Sequence, residues 1–305
     1  MKLREVKNKI NSTKNIYALT QSLELVAAMK VRKLKNSTLN SRPFVKKSIE
    51  ILIRLLEHKK SLLEKNESKN ELVKTSSVGS NVKKILVIIF SSDRGFCGIY
   101  NKNILKYSEM EIKKLRDEGE VELITIGKKA TNFFRKENYN VKIEFPEIKE
   151  FEEKKTSDKL FRCLLEFYQK GEYQKILFFA THYFTSFIQT PRIIQIFPFD
   201  EKLLRQMIQE TTGETIMEEN IDYIFEPSLE EIFEELTYQL MESEIYHAIL
   251  EARTSEEASR MMAMKRAMDN AQDIIENLTL EYNKARQAQI TSEISEITSA
   301  KEAIA

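Results

Sequence analysis

Residues 261–285 read MMAMKRAMDNAQDIIENLTLEYNKA, and the spacing of their apolar side chains bears on the architecture of the whole chain. Successive apolar residues are alternately three and four positions apart: Met261, Met264, Met268, Ala271, Ile275, Leu278, Tyr282 and Ala285. A stripe with a mean period of 3.5 residues winds around a partner helix in a left-handed coiled coil. The stretch therefore predicts a long helix with a Met- and Ala-rich seam that packs against a second helix.

The N-terminal residues carry the same spacing and are the obvious partner. Apolar residues with this spacing occur at Leu3, Val6 and Ile10 and, after a phase shift, at Ile16, Leu19, Leu23 and Val26. We predict that both groups lie in the seam. Two ends of one chain that pair along such stripes form an antiparallel coiled coil when the chain turns back on itself.

The distribution of helix-breaking residues supports two long terminal helices. All seven glycines lie between residues 79 and 213, and residues 1–42 and 228–305 contain neither Gly nor Pro. Gly and Pro cost about 1 and 3 kcal/mol in a helix interior, so their absence favours helix. Helices are predicted over residues 1–60 and 228–305, and the second would be about 115 Å long at 1.5 Å per residue.

Charge is distributed unevenly between the two ends. Residues 1–36 hold nine basic and two acidic side chains, whereas residues 226–260 hold ten acidic and two basic ones. An antiparallel pair would place Lys30, Arg32, Lys33 and Lys35 alongside Glu244, Glu251, Glu256 and Glu257. Each exposed pair contributes only about 0.2–1 kcal/mol, so this charge pattern would select the register of the helices more than their stability.

The middle of the chain has a different pattern. Residues 83–90 (KKILVIIF) form a short β-branched run typical of a strand buried on both faces. Further strands are predicted at 121–126, 175–180 and 192–197, and helices at 100–118, 128–137 and 155–170. Strands that alternate with helices indicate a small α/β domain with a mainly parallel sheet.

The predicted organisation has five parts, in chain order. They are an N-terminal coiled-coil helix (1–60), a polar linker (61–82), an α/β domain (83–200), an acidic return segment (201–227) and a C-terminal coiled-coil helix (228–305). The fold class is thus α+β or α/β: a long antiparallel two-helix coiled coil made by the chain ends, with a small inserted α/β domain.

Composition argues against several classes of function. The net charge of +1 gives no basic field for nucleic acid, and no apolar run approaches the roughly 20 residues that cross a bilayer. Because the first ten residues lack the apolar core of a signal peptide, we expect the chain to be made and used in the cytoplasm. Cys97 and Cys163 lie far apart and no His ligand spacing occurs, so neither a disulfide framework nor a metal site is expected.

The turn at residues 91–101, SSDRGFCGIYN, follows the first predicted strand and resembles a phosphate-binding turn only in its position. Gly95 and Gly98 give G-x-x-G, without the further Gly or the Lys-Ser/Thr that nucleotide motifs require. We interpret the glycines as permissive turn residues, and Asp93 and Arg94 as local caps or an interface pair. No Ser-His-Asp, Cys-His or paired-carboxylate set is evident, so no catalytic site, cofactor or metal is expected.

Three motifs resemble the gamma subunit of F-type ATP synthases. They are residues 4–34 (REVKNKINSTKNIYALTQSLELVAAMKVRKL), the turn SSDRGFCGIYN, and residues 257–297 (EASRMMAMKRAMDNAQDIIENLTLEYNKARQAQITSEISEI). The three occur in the family's order and span nearly the whole chain. The sequence departs from the family pattern at Ala18, Gln21, Leu23 and Ile99.

The resemblance implies a rotating central shaft that couples proton flow to ATP synthesis or hydrolysis at beta-subunit sites. Its partners would be the alpha–beta hexamer, the epsilon and delta subunits and the ring of c subunits, at the cytoplasmic face of a bacterial plasma membrane. The C-terminal tip, from about residue 290, would sit in the apical bearing of the hexamer. By matching positions, the beta contacts would be Lys30, Arg32, Lys33, Arg286, Gln287, Thr291 and Glu293, and Arg260 would lie near Leu23 across the coiled coil.

Three other functions remain open at this stage. A static coiled-coil scaffold with an α/β head would share the predicted layout. The central shaft of vacuolar-type ATPases lacks the central α/β domain, so the strands at 83–90 and 175–180 argue against it. An α/β enzyme would need a site within residues 83–200 that the sequence does not reveal.

Overall fold

The computed structural model describes residues 3–63, 84–145, 148, 152–198 and 228–304. The described residues form five helices and five strands. The helices are α1 (Leu3–Leu63), α2 (Tyr100–Leu115), α3 (Lys128–Lys136), α4 (Glu153–Gln169) and α5 (Leu229–Ile304). The strands are β1 (Lys84–Phe90), β2 (Glu120–Ile126), β3 (Val141–Phe145), β4 (Lys175–Tyr183) and β5 (Gln189–Phe197).

The five strands form one sheet in the order β3-β2-β1-β4-β5. The first four strands run parallel, and β5 pairs antiparallel with β4. The predicted mainly parallel sheet is thus confirmed. Strand β3 was missing from the sequence-based prediction; it is a five-residue edge strand that alternates half-buried Val141, Ile143 and Phe145 with exposed charged residues.

The sheet is covered on both faces, which explains the unbroken apolar runs of its central strands. On one side of β1, Ile85, Val87 and Ile89 pack with residues of α2 and α3. On the other side, Leu86, Ile88 and Phe90 pack with residues of α1, α4 and α5. Because successive side chains of a strand point to opposite faces, a strand between two helical layers must be apolar at every position.

The described chain divides into two compact units. The first contains residues 1–29 and 260–305, and the second contains residues 30–259. This division differs from the predicted one, since residues 30–63 of α1 and residues 229–259 of α5 belong with the α/β domain. Leu52, Leu55, Leu240 and Ala248 are buried in the same core as the sheet, which joins those helix segments to it.

In the first unit, the terminal helix segments form the predicted two-helix coiled coil. Every residue of the predicted C-terminal stripe is buried or half-buried, and Met264 and Ala271 are the most enclosed. The N-terminal prediction was partly wrong. Ile16, Leu19 and Val26 are exposed, and no phase shift occurs.

Polar residues continue the N-terminal seam. Thr13, Tyr17 and Thr20 follow Ile10 at spacings of three and four, and all three are buried or half-buried. The Thr13 hydroxyl donates to the Lys9 carbonyl at 2.9 Å, and the Thr20 hydroxyl donates to the Ile16 carbonyl at 2.9 Å. Because these hydroxyls are satisfied within their own helix, threonine can occupy a seam position at little cost.

The predicted linker and return segment lie largely outside the described residues. Helix α1 extends to Leu63, three residues into the predicted linker 61–82, and the rest of that linker is not described. The return segment 201–227 is also not described. The five-part division of the chain therefore stays a prediction in its exact boundaries.

Candidate functional sites

The predicted contact residues near the C-terminus lie on the surface of α5. Arg286, Gln287, Thr291 and Glu293 are all exposed. The Thr291 hydroxyl donates to the Gln287 carbonyl at 3.0 Å, and Gln289 donates to the Glu293 carboxylate at 2.8 Å. These bonds lie within the helix, so the side chains remain on a solvent-facing surface that a partner could contact.

Three isoleucines extend this surface towards the C-terminal tip. Ile290, Ile294 and Ile297 follow one another at spacings of four and three and are exposed by 45%, 59% and 70%. Residues three and four apart share one side of a helix, so the three form a continuous apolar stripe. Exposed apolar patches of this kind mark interaction surfaces.

The basic residues of α1 belong to the second unit. Arg32 and Lys33 are exposed, and Lys30 is half-buried. Lys30 and Lys33 line a cavity together with Tyr246, Leu250 and Arg253 of α5. The structure thus brings two of the three predicted basic residues to one cavity and leaves Arg32 outside its lining.

The predicted pair across the coiled coil lies in the first unit. Leu23 and Arg260 are both half-buried. Half-burial suits seam or seam-flanking positions, and the predicted proximity of these two side chains stays a prediction.

The turn that follows β1 caps a helix that begins 35 residues later. The Asp93 carboxylate accepts from the Lys128 backbone N–H at 3.0 Å, and the Ser91 hydroxyl accepts from the Ala130 backbone N–H at 2.8 Å. The Ser92 carbonyl accepts from the Lys129 backbone N–H at 3.2 Å. The first amides of α3 are therefore occupied by the protein itself, which argues against a phosphate site there.

The glycines of this region have unequal roles. Gly98 adopts φ of 56°, a left-handed conformation that favours glycine. Gly127, the N-cap of α3, has φ of 93°, and a Cβ there would lie 2.2 Å from the Ser91 carbonyl oxygen. Gly95 has open space around it, so its conformation does not require glycine.

The surface of the turn is partly apolar. Phe96 and Ile99 are largely exposed, and Arg94 is exposed beside them. Beneath them Asn101 donates to the Ser92 hydroxyl at 2.7 Å and to the Cys97 sulfur at 3.0 Å. The turn therefore presents a firmly held surface of mixed apolar and basic character.

A buried ionic cluster that the sequence did not predict joins α5 to the sheet. Glu251 is 2% exposed, and its carboxylate lies 2.7 Å from His182 Nδ1 and 3.0 Å from an Arg192 guanidinium nitrogen. His247 Nδ1 lies 3.8 Å from the other oxygen. Glu251 thus faces β4 and β5, rather than pairing with the basic residues of α1 as the charge pattern predicted.

The environment of Glu251 favours its ionised form. Burial acts to raise the pKa of Glu251, but the hydrogen bond with His182 and the charges of Arg192 and His247 outweigh it. The pKa of Glu251 is therefore held below the ordinary carboxyl value. Neighbouring bonds strengthen the joint: the Ser255 hydroxyl donates to the Thr181 carbonyl at 3.2 Å, and the buried Tyr100 hydroxyl donates to the Ala252 carbonyl at 3.2 Å.

Among the described helices, none combines the length and apolarity needed to span a lipid bilayer. Within the same residues, His, Cys, Asp and Glu side chains form no group of three or more suited to a metal ion.

These features place the chain in a class of protein in which paired terminal helices form a coiled coil and an α/β domain lies between them in sequence. The ATP synthase family model matches residues 2–304. Curated ATP synthase gamma chains are similar over almost their whole length. One from Pelotomaculum thermopropionicum is 31% identical over 97% of this chain and 96% of its own, and one from Vesicomyosocius okutanii is 35% identical over the same shares.

Solved structures agree on the fold. The rotor of the Euglena gracilis mitochondrial ATP synthase superposes with a TM-score of 0.59 at 17% identity, covering 94% of this chain and 98% of that one. The central stalk and c-ring structure from Tetrahymena thermophila gives a TM-score of 0.54 at 20% identity, with coverage of 82% and 99%. The chain belongs to the ATP synthase gamma chain family.

Proposed function

We propose that this chain is the central rotor subunit of an F-type ATP synthase. It would couple proton flow through a membrane ring to ATP synthesis or hydrolysis at beta-subunit catalytic sites, without a catalytic site of its own. The observation that carries this proposal is the first unit, a two-helix coiled coil whose stripes are enclosed while polar and apolar side chains cover its outside. Such a unit suits a shaft that turns inside a ring of partners.

The exposed polar and charged side chains of α5 are suited to a subunit that rotates against its partners. A ligand or partner shifts a conformational equilibrium only by its differential contact energy, so a shaft must touch each catalytic subunit differently. Arg286 and Glu293 give opposite charges on one side of α5, and Gln287 and Thr291 lie on an adjacent side. Scattered polar contacts of this kind can be exchanged as the shaft turns, whereas a large packed apolar interface would hold it in one orientation.

The proposed partners follow from family membership. The coiled coil would sit within the alpha–beta hexamer, with the C-terminal tip in its apical bearing. Arg286, Gln287, Thr291 and Glu293 would meet a catalytic beta subunit, and Lys30, Arg32 and Lys33 would meet an acidic loop of beta. The α/β domain would meet the epsilon subunit and the c ring, and the delta subunit would complete the assembly at the cytoplasmic face of a bacterial plasma membrane.

The test is a reconstitution with alpha and beta subunits of a related bacterial enzyme. A bead is attached through a cysteine introduced at exposed Lys102, and single complexes are observed during ATP hydrolysis. We expect stepwise rotation from the full chain and none from a variant that lacks residues 3–29 and 260–304. Stable assembly without rotation would instead favour a static scaffold.

A point variant tests the proposed beta contact. Arg286→Ala should lower the rate of rotation several-fold, because loss of a well-placed arginine at an interface costs more than about 1 kcal/mol. Lys284→Ala, at an exposed position on the same helix, is the matched control and should rotate normally. Equal effects of the two variants would argue against a specific role for Arg286.

A further inference from the structure

The loop that joins β4 to β5 presents a cluster of large apolar side chains to solvent. Phe184, Phe187 and Ile188 are 59%, 78% and 55% exposed. The nine residues 183–191, YFTSFIQTP, contain no charged side chain, although charged residues make up 31% of the chain. We call these nine residues the hairpin tip. Exposed apolar patches on an otherwise charged protein mark surfaces that bind a partner.

The hairpin tip is held in one conformation by its own polar side chains. The Thr185 hydroxyl accepts from the Phe187 backbone N–H at 3.2 Å. The Gln189 side chain donates to the Thr185 carbonyl at 3.0 Å and to the Ser186 carbonyl at 2.7 Å. Ser259 of α5 donates in turn to the Gln189 side chain at 3.0 Å, which ties the tip to that helix. Because the loop is already ordered, a partner loses little affinity to the cost of ordering it.

The absence of charge on the hairpin tip defines the surface that it can bind. A charged group buried against the tip would lose its hydration and find no counter-charge there. Arg192, the first charged residue after the tip, is already bound to the Glu251 carboxylate at 3.0 Å. Interfacial membrane anchors combine apolar side chains with basic ones, so a lipid surface suits the tip less well. We therefore expect the partner to be a protein with an uncharged apolar recess.

The size of the hairpin tip indicates how it would be used. Burial of three large side chains covers on the order of 500 Å², whereas a specific interface covers about 800 Å² on each partner. The tip is therefore too small to hold a partner alone. It has instead the form of an anchor, in which a few bulky side chains bind within a wider interface. The partner must then also contact other surfaces of the chain.

We propose that the hairpin tip anchors a subunit that turns together with this chain, an assignment that rests on the proposed rotor function. Apolar side chains seated in a recess hold one orientation, and withdrawing them returns apolar surface to water. A stationary subunit would have to release the tip at every step of rotation. A co-rotating subunit keeps the contact throughout, so the favourable burial never opposes the motion.

The test places a photoreactive benzoylphenylalanine at position 187 of the full chain, within a complete complex assembled from the other subunits of a related bacterial enzyme. Because Phe187 is 78% exposed, this change should not disturb folding. We expect light to link position 187 to an apolar segment of the epsilon subunit or of a c subunit. Linked complexes should still rotate during ATP hydrolysis, since the two joined subunits turn together.

A matched pair of variants measures the strength of the anchor. Phe187→Ser should speed dissociation of the subunit identified by the link by about tenfold, because loss of a central aromatic anchor is the most damaging change at an interface. Phe96→Ser is the control, since Phe96 is a residue of the same type that is 75% exposed in the turn after β1. It should dissociate like the parent complex, and equal dissociation of the two variants would overturn the proposal.

The remaining outcomes distinguish the role of the hairpin tip from the rotor function. If the parent complex rotates but position 187 links to alpha, to beta, to its own chain or to no subunit, the tip is not the anchor and the rotor function stands. If the parent complex does not rotate, the rotor function fails and the co-rotating partner with it. Binding of the purified chain to vesicles of phosphatidylcholine and phosphatidylglycerol, lost in Phe187→Ser, would assign the tip to a membrane surface and overturn the proposal.

Discussion

The coiled coil of the first unit and the sheet core of the second are built from the same two long helices in different ways. Around residues 248–258, α5 is enclosed on nearly every side, while between residues 272 and 285 only the seam positions are partly enclosed. A helix buried all round belongs to a core, and a helix with one narrow stripe belongs to a two-helix contact. The change occurs within one uninterrupted helix, so packing partners rather than helix propensity create it.

The difference has an energetic consequence. The second unit buries large side chains such as Phe90, Phe134 and Phe178 completely, whereas the buried side chains described for the first unit include no aromatic ring: they are Val6, Thr20, Ala27, Met264 and Ala271. Burial of apolar surface stabilises in proportion to the area removed from water. We therefore expect the core of the second unit to tolerate truncation far less well than the seam.

The largest effect is expected in the core. Phe178→Ala should lower the free energy of unfolding by about 3–5 kcal/mol, because it leaves a cavity beside fully buried neighbours. Phe187→Ala is the matched control, since Phe187 is 78% exposed and Phe178 is 0% exposed. Urea unfolding measures the free energy of unfolding of both variants. If Phe178→Ala lowered it by much less than about 3 kcal/mol, the expected difference in packing between the two units would be wrong.

The next effect concerns the joint between α5 and the sheet. Glu251→Gln should cost about 3 kcal/mol near pH 7, since it breaks the buried ion pair between Glu251 and Arg192. The pKa of Glu251 is lowered in the folded protein, so the stability it contributes is complete above the unfolded carboxyl pKa and is lost as pH falls through the lower folded pKa.

The pH dependence of the stability that Glu251 contributes gives a second test with the same variant. The difference in stability between the parent chain and Glu251→Gln should shrink as the pH is lowered from 7 towards 3, when measured by denaturant unfolding at each pH. Glu281→Gln, at an exposed position of the same helix, should leave the pH profile unchanged. A difference that stays constant with pH would show that Glu251 acts through its shape and not through its charge.

The smallest effect is expected in the seam. Met264→Ala should cost about 2 kcal/mol, at the lower end for buried Met truncations, because a slim two-helix contact can close around the lost volume. Met29→Ala is the control: Met29 is 66% exposed and Met264 is 5% exposed. A cost for Met264→Ala equal to that of Phe178→Ala would mean that the seam is packed as rigidly as the sheet core.

Prediction from sequence succeeded where one pattern had one interpretation. The stripe from Met261 to Ala285 has no competing apolar face at the same period, and it became the seam. In α1, two stripes competed, and the more apolar one, through Ile16 and Leu19, was chosen wrongly. The seam uses Thr13 and Thr20 because their hydroxyls bond within the helix, which apolar periodicity alone does not reveal.

The candidate sites were predicted to a lesser extent. Asp93 and Arg94 were predicted to be local caps or an interface pair, whereas the Asp93 carboxylate accepts from the first backbone N–H of α3, a helix that begins 35 residues later in the chain. Glu251 was assigned to the basic residues of α1, but it is bound by side chains of β4 and β5 that lie more than fifty residues away. Long-range partners of this kind depend on strand order, which local patterns leave open.

The sequence by itself determined the two terminal helices, the buried strands and the family, because helix breakers, apolar periods and motif order are local properties of the chain. Only the tertiary structure decided the strand order, the partners of Glu251 and the cavity beside Arg253. The physical reason is that burial of a charge or an apolar face is settled by whichever elements pack against it. Those elements come from distant parts of the sequence.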